Sequence, residues 1–323
     1  MALGLKVYRG YANERKIMVF GHVFEKDTPD VFKLNKKWYQ HAWQVLRMFR
    51  IKTESNASVV FKYKNLEVKT KTLDDGHFRM MIPYEGDIEP GWHKFTMEVL
   101  EEENSHESHE EEGEFVKPFP GEYGVISDID DTFLVSHSGN IFKKLYVMLT
   151  RNVNKRKVFE KVVEHYRLLN QIGRKDHSKN NAFFYVSSSE WNLYNFIIQF
   201  TEIHQFPKAV LKLKDIKSGL RDFLGSGGGD HNHKFYKIRH LVEFYPELHF
   251  ILLGDDSQQD PYIYRDISKI FPKNISTIYI RQTKRKKRKK VKSMLSEMNE
   301  LGVKTCYFKH SSTAMEHSKN ELN

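Results

Sequence analysis

The second part of the sequence alternates short apolar segments with amphipathic ones, and this alternation constrains the fold more than any other feature. The apolar segments are four to six residues long and bounded by turn residues, as expected for strands buried on both faces of a parallel sheet. The predicted strands are Gly124–Ser127, Ala182–Ser187, Ala209–Leu213, His249–Leu253 and Ser276–Ile280. The predicted helices lie around Arg156–Ile172, Glu190–Ile203, His233–Phe244 and Val291–Leu301. This order predicts an α/β domain with a doubly wound parallel sheet, in which ligands bind at the carboxyl ends of the strands.

The first 117 residues have a different texture, dominated by β-rich runs. These runs are Lys16–Phe24, Ala57–Tyr63, Leu66–Thr72, His77–Ile82 and Trp92–Leu100. Asp74–Gly76 is predicted to be a hairpin turn, and the apolar spacing from Trp38 to Phe49 predicts one helix. A small antiparallel β-domain, sandwich-like, over residues 1–117 is the expectation. Pro118–Gly121 marks the boundary to a second domain, residues 118–323.

Composition narrows the class of protein. Cys306 is the single cysteine, so the sequence predicts no internal disulfide and a reducing, cytoplasmic setting. The chain has no run of about 18 apolar residues, and its N-terminus is interrupted by charges too early for a signal peptide. Residues 1–117 carry 18 Lys and Arg against 20 Asp and Glu, whereas residues 118–323 carry 34 against 22. The basic second part therefore favours an anionic partner.

Two polar groups follow the first two predicted strands. Asp128 and Asp130 lie two residues apart directly after Gly124–Ser127, with Thr132 next. Paired carboxylates at such a position can act as nucleophile and proton donor; an Asp-rich loop that caps a helix is the simpler alternative. Ser187 ends the second strand and is able to hydrogen-bond a phosphoryl oxygen, or else to cap the following helix.

Two more candidates come later in the chain. Lys234 opens a predicted helix, where it either neutralises charge on a phosphoryl group or is an ordinary surface lysine. Asp255, Asp256 and Asp260 follow the strand His249–Leu253. Carboxylates clustered there suit a hard cation such as Mg²⁺, although a capped acidic loop is the simpler reading.

Taken together and in this order, D-x-D-x-T, the strand-ending Ser, the Lys and the strand followed by G-D-D resemble the four motifs of haloacid dehalogenase-type phosphatases. More narrowly, DIDDT, YVSSSEWNLY, the His233–Lys234 pair and FILLGDDSQQDPYIY resemble the catalytic domain of the actin-patch phosphatidate phosphatase family; lipins are more distant relatives. The resemblance covers about residues 118–323. It implies a haloacid dehalogenase-like fold and a phosphatase that acts on phosphatidate or a related phospholipid.

The resemblance also implies roles for individual residues. Asp128 is expected to be the nucleophile and Asp130 the acid and base. Ser187 and Lys234 are expected to stabilise the phosphoryl oxygens, and Thr132 to hold the loop. Mg²⁺ is the implied cofactor, bound by Asp128, Asp255 and the backbone carbonyl of Asp130. Because this sequence has GDDSQ where a G-D-S-G-Q-like run is expected, Asp256 is a further candidate ligand.

Other features bear on the substrate. The intervals between the motifs leave no room for a large cap domain, which predicts an open site suited to a bulky lipid headgroup. Lys284–Lys290, here called the basic segment, is seven cations in a row and could hold the protein at an anionic membrane surface; a solvated basic loop is the alternative. No aromatic platform accompanies it, which disfavours nucleic acid. Two other functions stay open: hydrolysis of a soluble or nucleic-acid phosphomonoester, and non-catalytic binding of anionic lipid.

Overall fold

A computed structural model describes residues 3–25, 52–100, 108–121, 123–129, 153–214 and 231–322. The predicted helix Trp38–Phe49 lies outside these residues. The chain forms two compact units. The main part of the first ends at Pro118 and the second begins at Phe119, close to the predicted boundary. The first unit also takes in Glu190–Ile198. Among the described residues, no helix combines the length and apolar character needed to cross a bilayer.

The first unit contains a sheet of eight strands in the order β1-β3-β2-β8-β7-β4-β5, with β6 paired to β3. The strands are β1 Leu3–Val7, β2 Gly10–Ala12, β3 Lys16–Glu25, β4 Ser58–Tyr63, β5 Leu66–Lys71, β6 His77–Pro83, β7 Gly91–Leu100 and β8 Ser108–Lys117. Most neighbours are antiparallel, but β2 and β8 run parallel, with Gly10 opposite Phe115. The sheet is therefore mixed, whereas the sequence predicted an antiparallel one.

The turn at Asp74–Gly76 forms as predicted, but the two strands beside it do not pair. Gly76 has a φ of +72° and donates its N–H to the carbonyl of Leu73, a conformation that glycine adopts without steric cost. Strand β5, before the turn, pairs with β4, whereas β6, after it, pairs with β3. The expected hairpin is thus wrong, because the turn moves the chain from one part of the sheet to another.

One aromatic and aliphatic core holds this sheet together. Phe61, Phe95 and Phe115 are buried, and the ring of Phe95 contacts the other two; Tyr63 packs on Phe115. Strand β3 is buried along most of its length, whereas β5, at the end of the sheet, alternates between half-buried and exposed residues. The apolar run and the alternating run in the sequence correspond to these two environments.

The second unit contains a six-stranded sheet in the order β11-β10-β9-β12-β13-β14. The strands are β9 Tyr123–Asp128, β10 Ala182–Glu190, β11 Ala209–Lys214, β12 His249–Asp255, β13 Ile275–Arg281 and β14 Lys304–Phe308. Pairing is parallel between β9 and β10, β9 and β12, β12 and β13, and β13 and β14. The α/β class and the parallel sheet are therefore confirmed.

Six helices accompany this part of the described chain. They are α1 Val153–Gln171, α2 Tyr194–Ile203, α3 His231–Phe244, α4 Asp260–Ile270, α5 Arg288–Glu300 and α6 Ser311–Glu321. Helix α1 packs against α6, whereas α4 packs against both α3 and α5. Strands β9 and β12 are buried almost throughout, which explains their unbroken apolar sequence. Because β9 and β12 run parallel, their carboxyl ends lie at the same edge of the sheet, where Asp128 and Asp255 are found.

Candidate active site

Three of the predicted site residues lie at or close to the carboxyl ends of adjacent parallel strands. Asp128 ends β9, and its neighbour across the ladder in β10 is Val186, the residue before Ser187. On the other side, Leu253 of β12 pairs with Ser127, so that Asp255 is two residues beyond this pair. Asp128, Ser187 and Asp255 are all buried, with at most 2% of their surface exposed. The register thus brings these separated motifs to one edge of the sheet.

Lys234 joins this edge from helix α3. Its Nζ lies 2.9 Å from Oδ2 of Asp128 and 3.2 Å from Oδ1 of Asp260. It also donates to Oε1 of Gln258 at 3.2 Å. The lysine is buried, with 5% of its surface exposed, so its charge interacts with these carboxylates at a lower effective dielectric than at the surface. The alternative that Lys234 is an ordinary surface lysine is therefore wrong.

Asp260 was expected only as one member of an acidic cluster, and the structure gives it a definite place. It begins helix α4, is fully buried, and bonds Lys234 through Oδ1. Its Oδ2 accepts the backbone N–H of Asp255 at 3.2 Å. A Cβ atom at Gly254 would lie 2.4 Å from that same Oδ2, so only glycine permits the approach. We call residues 255–260 the acidic loop.

Asp255 and Asp256 are neighbours with different surroundings. Oδ1 of Asp255 accepts the N–H of Ser257 at 2.7 Å. Asp256, by contrast, accepts four hydrogen bonds from residues outside the acidic loop: the N–H and the hydroxyl of Thr283 and the N–H of Lys284 reach Oδ1, and the hydroxyl of Tyr307 reaches Oδ2 at 2.6 Å. The geometry favours Asp255 over Asp256 as a metal ligand.

The pKa of the buried residue Tyr264 indicates that the carboxylates lie close together. Tyr264 is completely buried and donates its hydroxyl to the carbonyl of Leu253 at 2.7 Å. Burial raises the pKa of this phenol well above its usual value, and the negative charges of Asp260, Asp128 and Asp255 raise it further. A single buried ring therefore lies within electrostatic range of all three acids.

Arg281 is a buried cation that the sequence reasoning missed. It pairs with Asp255 across β12 and β13, and its guanidinium donates to Oγ of Ser311 at 2.9 Å and lies 5.0 Å from the ring centre of Phe308. Burial lowers the pKa of Arg281, and electrostatic interactions with Tyr166 and Asp255 partly offset this effect. Its position at the end of a predicted strand was the signal that could have identified it.

The residues present suit a hard cation, although part of the expected ligand set is not seen. Asp130 and Thr132 lie outside the described residues. Within the described ranges, no group of three His, Cys, Asp or Glu side chains is arranged to hold a metal ion. However, Asp128, Asp255, Asp256 and Asp260 are buried, and in the described part of the chain the buried cations at this edge of the sheet are Lys234 and Arg281. An all-oxygen donor set with excess negative charge fits Mg²⁺.

Comparison with known proteins adds an independent observation. Residues 123–282 match the family model described as phosphatidate phosphatase APP1, catalytic domain. The curated phosphatidate phosphatase APP1 of Saccharomyces cerevisiae is 27% identical over 175 residues, which cover 50% of this chain and 27% of that protein. A solved carbohydrate acetylesterase from Xanthomonas citri aligns over 99% of this chain and 75% of its own chain, at 8% identity and a TM-score of 0.33, which is too low to support any argument. The family match confirms the resemblance that the four motifs predicted.

Proposed function

Because residues 123–282 match the catalytic domain of the phosphatidate phosphatase APP1 family, we propose that this chain is a phosphomonoester hydrolase whose substrate is phosphatidate or a related phospholipid. The chain spans about a quarter of the length of its curated relative, 27% of that protein. The observation that carries the proposal is the buried contact of Lys234 with Asp128 and Asp260 beside Asp255. We interpret the six-stranded sheet as a doubly wound sheet of the haloacid dehalogenase type.

The proposed reaction proceeds through Asp128. One of its carboxylate oxygens forms a bond to phosphorus while the bond from phosphorus to the leaving alcohol oxygen breaks, and Asp130 gives that oxygen its proton. Water then attacks the aspartyl-phosphate, Asp130 takes the proton from this water, and inorganic phosphate leaves as Asp128 is restored. Two steps with lower barriers replace one direct displacement. Thr132 would hold the loop that carries both aspartates.

Lys234 and Ser187 would supply the electrostatic part of the catalysis. Since Nζ of Lys234 is 2.9 Å from the Asp128 carboxylate, its charge also lies close to any phosphoryl group bonded to that carboxylate. Ser187, at the end of the neighbouring strand, can donate its hydroxyl to another phosphoryl oxygen. Buried, preorganised donors of this kind are worth about 10²- to 10³-fold each in rate. Asp260 would keep Lys234 in place through its 3.2 Å contact.

Asp128 and Asp255, with the backbone carbonyl of Asp130, are the residues that would hold Mg²⁺. When bound there, this ion would offset the repulsion between an anionic carboxylate and an anionic phosphate. Asp256 is left out of this ligand set, because both of its oxygens accept hydrogen bonds from Thr283, Lys284 and Tyr307.

Anionic lipid surfaces are the proposed partner of the exposed part of the basic segment. Arg285, Lys286, Arg288, Lys289 and Lys290 are exposed. Helix α5 begins within this segment and has no acidic residue in its first turn. Cations at the positive end of a helix dipole are unfavourable for the helix, and they concentrate positive potential at one point of the surface. Each such charge near an anionic bilayer contributes about 1 kcal/mol to binding.

The test is a substrate panel with Asp128→Asn as the inactive reference. Purified protein with Mg²⁺ is given phosphatidate, lysophosphatidate, sugar phosphates and 3′- or 5′-phosphorylated oligonucleotides, and phosphate release is measured with and without EDTA. We expect release from the lipids, lost with EDTA and reduced about 10⁴-fold or more in Asp128→Asn. Release that is unchanged in this variant contradicts the mechanism, and a preference for sugar phosphates or oligonucleotides contradicts the lipid assignment.

Binding to acidic vesicles, measured by flotation, should weaken about 100-fold when Arg285, Lys286 and Lys289 are changed to Gln.

A further inference from the structure

Two lysines of the basic segment bond to the acidic loop and differ in this from their neighbours. Nζ of Lys284 donates to the carbonyl of Ser257 at 3.0 Å. Nζ of Lys287 donates to the carbonyls of Ser257 and Gln258, both at 3.1 Å. Both lysines are half-buried, whereas the other five cations of the segment are exposed. The seven consecutive cations therefore divide into two that donate hydrogen bonds to the acidic loop and five that are exposed.

Asp256 holds the same two segments together through the backbone. Its Oδ1 accepts the N–H groups of Thr283 and Lys284 at 2.7 and 2.9 Å, and the hydroxyl of Thr283 at 2.6 Å. A further bond joins the N–H of Asp256 to the carbonyl of Arg281 at 3.1 Å. Because the carboxylate is fully buried, these bonds are charge-assisted contacts shielded from water. The acidic loop and the start of the basic segment are thus connected by side-chain and backbone bonds in both directions.

A short path leads from these contacts to the proposed nucleophile. Lys287 bonds the carbonyl of Gln258, whose side-chain Oε1 accepts from Nζ of Lys234 at 3.2 Å. Nζ of Lys234 in turn lies 2.9 Å from Asp128. Displacing the backbone at Gln258 therefore displaces a partner of the lysine that contacts the nucleophile.

We infer that Asp256, Lys284 and Lys287 are positioning residues that clamp the acidic loop in the geometry needed for phosphoryl transfer. The inference rests on the proposed function and adds to it a role for the basic segment that does not involve a membrane. The family match ends at Gln282, before the basic segment begins, so the match does not supply this role. Misplacing a catalytic group by about 1 Å can cost up to about 10²-fold in rate, and the clamp is expected to act on kcat.

The experiment compares the double variant Lys284→Gln, Lys287→Gln with the control Lys292→Gln, Lys309→Gln, which removes the same charge from exposed positions. A soluble substrate, p-nitrophenyl phosphate, removes any contribution of membrane binding. We expect kcat to fall about tenfold in the clamp variant with little change in KM, and to stay at the wild-type value in the control. Lys284→Arg, Lys287→Arg keeps donors for the loop carbonyls and should restore most of kcat.

Hydrogen–deuterium exchange gives a readout independent of activity. Amides of residues 255–260 should exchange faster in the Gln clamp variant than in wild type, and at the wild-type rate in the control. Unchanged exchange, or equal losses of kcat in clamp variant and control, overturns the inference. If wild type hydrolyses no phosphomonoester at all, the proposed function fails, whereas the exchange measurement still decides whether the clamp exists.

Discussion

The two units of the molecule differ in the charge of their most deeply buried polar groups. Among the described residues of the first unit, the most deeply buried titratable side chain besides tyrosine is the imidazole of His22, which is neutral because burial and the charge of His77 lower its pKa to about 2. In the second unit, Asp128, Lys234, Asp255 and Asp260 are buried together at the ends of parallel strands. Burying charges costs several kcal/mol per ion unless they are paired.

The difference shows where this chain tolerates the free-energy cost of burying charges. One nitrogen of His22 is bonded locally: Nδ1 is 2.9 Å from the hydroxyl of Tyr8, and the ring stacks on Trp191 with centroids 4.1 Å apart. Such a group contributes to packing without holding a charge. The carboxylates around Lys234 instead hold buried charge, and they add little stability, because apolar residues of similar volume would often be as stable. A cluster that is costly for stability and lies at the carboxyl ends of strands is typical of a functional site.

The largest effect is expected from removing the buried cation. Lys234→Met leaves the carboxylates of Asp128 and Asp260 without their 2.9 and 3.2 Å partner. We expect phosphatase activity to fall about 10³-fold and the free energy of unfolding, measured without metal, to fall by about 3–5 kcal/mol.

Lys237→Met is the matched control, because Lys237 lies three residues further along α3 and bonds the carbonyl of Leu213. It should lose about 1 kcal/mol of stability and little activity. Equal losses of activity at Lys234 and Lys237 would show that the helix, and not the charge at the strand ends, is what the site requires.

A smaller effect should separate the two neighbouring aspartates. Asp255→Asn is expected to reduce activity about 10²-fold and to raise the Mg²⁺ concentration needed for half-maximal activity, because the side chain proposed as a ligand loses its charge. Asp256→Asn should leave the Mg²⁺ requirement unchanged, but it should lower kcat as loss of the clamp does. It should also lower the unfolding free energy by about 1–3 kcal/mol, since it weakens bonds to Thr283, Lys284 and Tyr307. Activity titrations with Mg²⁺ and denaturant unfolding measure the two quantities. The reverse pattern, with Asp256→Asn shifting the Mg²⁺ requirement, would reassign the ligand.

The strands and the strand-end residues could be predicted because they depend on local sequence. Buried parallel strands are short apolar runs, so Asp128, Ser187 and Asp255 were identifiable as the polar residues that follow them. Strand β14 was missed because it is half-polar, with its first residue exposed. Helix α6, SSTAMEHSKNE, was missed because it has no clear apolar face.

The contacts that complete the site depend on residues far apart in the chain. Asp260 meets Lys234 across 26 residues, and Asp256 meets Tyr307 across 51. No spacing rule links such pairs, so the sequence made Asp255 the expected ligand without excluding Asp256 and gave Asp260 only a place in the acidic cluster. The division of the basic segment into clamping and exposed cations was equally invisible, because seven similar residues in a row carry no pattern.

The smallest effect concerns two buried histidines of the described residues, His22 in the first unit and His165 in the second. Burial, together with the charges of Arg281 and His317, lowers the pKa of His165 to about 3, as burial and His77 lower that of His22 to about 2. In the unfolded chain both titrate near the ordinary value of about 6.5. Below that pH the unfolded chain binds protons that the folded chain excludes. Their stabilising contribution is therefore complete above about pH 6.5 and is lost as the pH falls towards 2 or 3.

Each histidine should cost about 1.4 kcal/mol of unfolding free energy per pH unit below 6.5, or about 2 kcal/mol at pH 5. His22→Phe keeps a ring against Trp191 and removes the titration; within the described part of the chain, Nε2 of His22 has no hydrogen-bond partner that this change would strand. The variant should lose some stability at pH 7, where the bond to Tyr8 is missing, yet its stability should decline less between pH 7 and pH 5. Denaturant unfolding at several pH values measures both slopes. Parallel slopes would mean that His22 is protonated in the folded protein at a fully buried position.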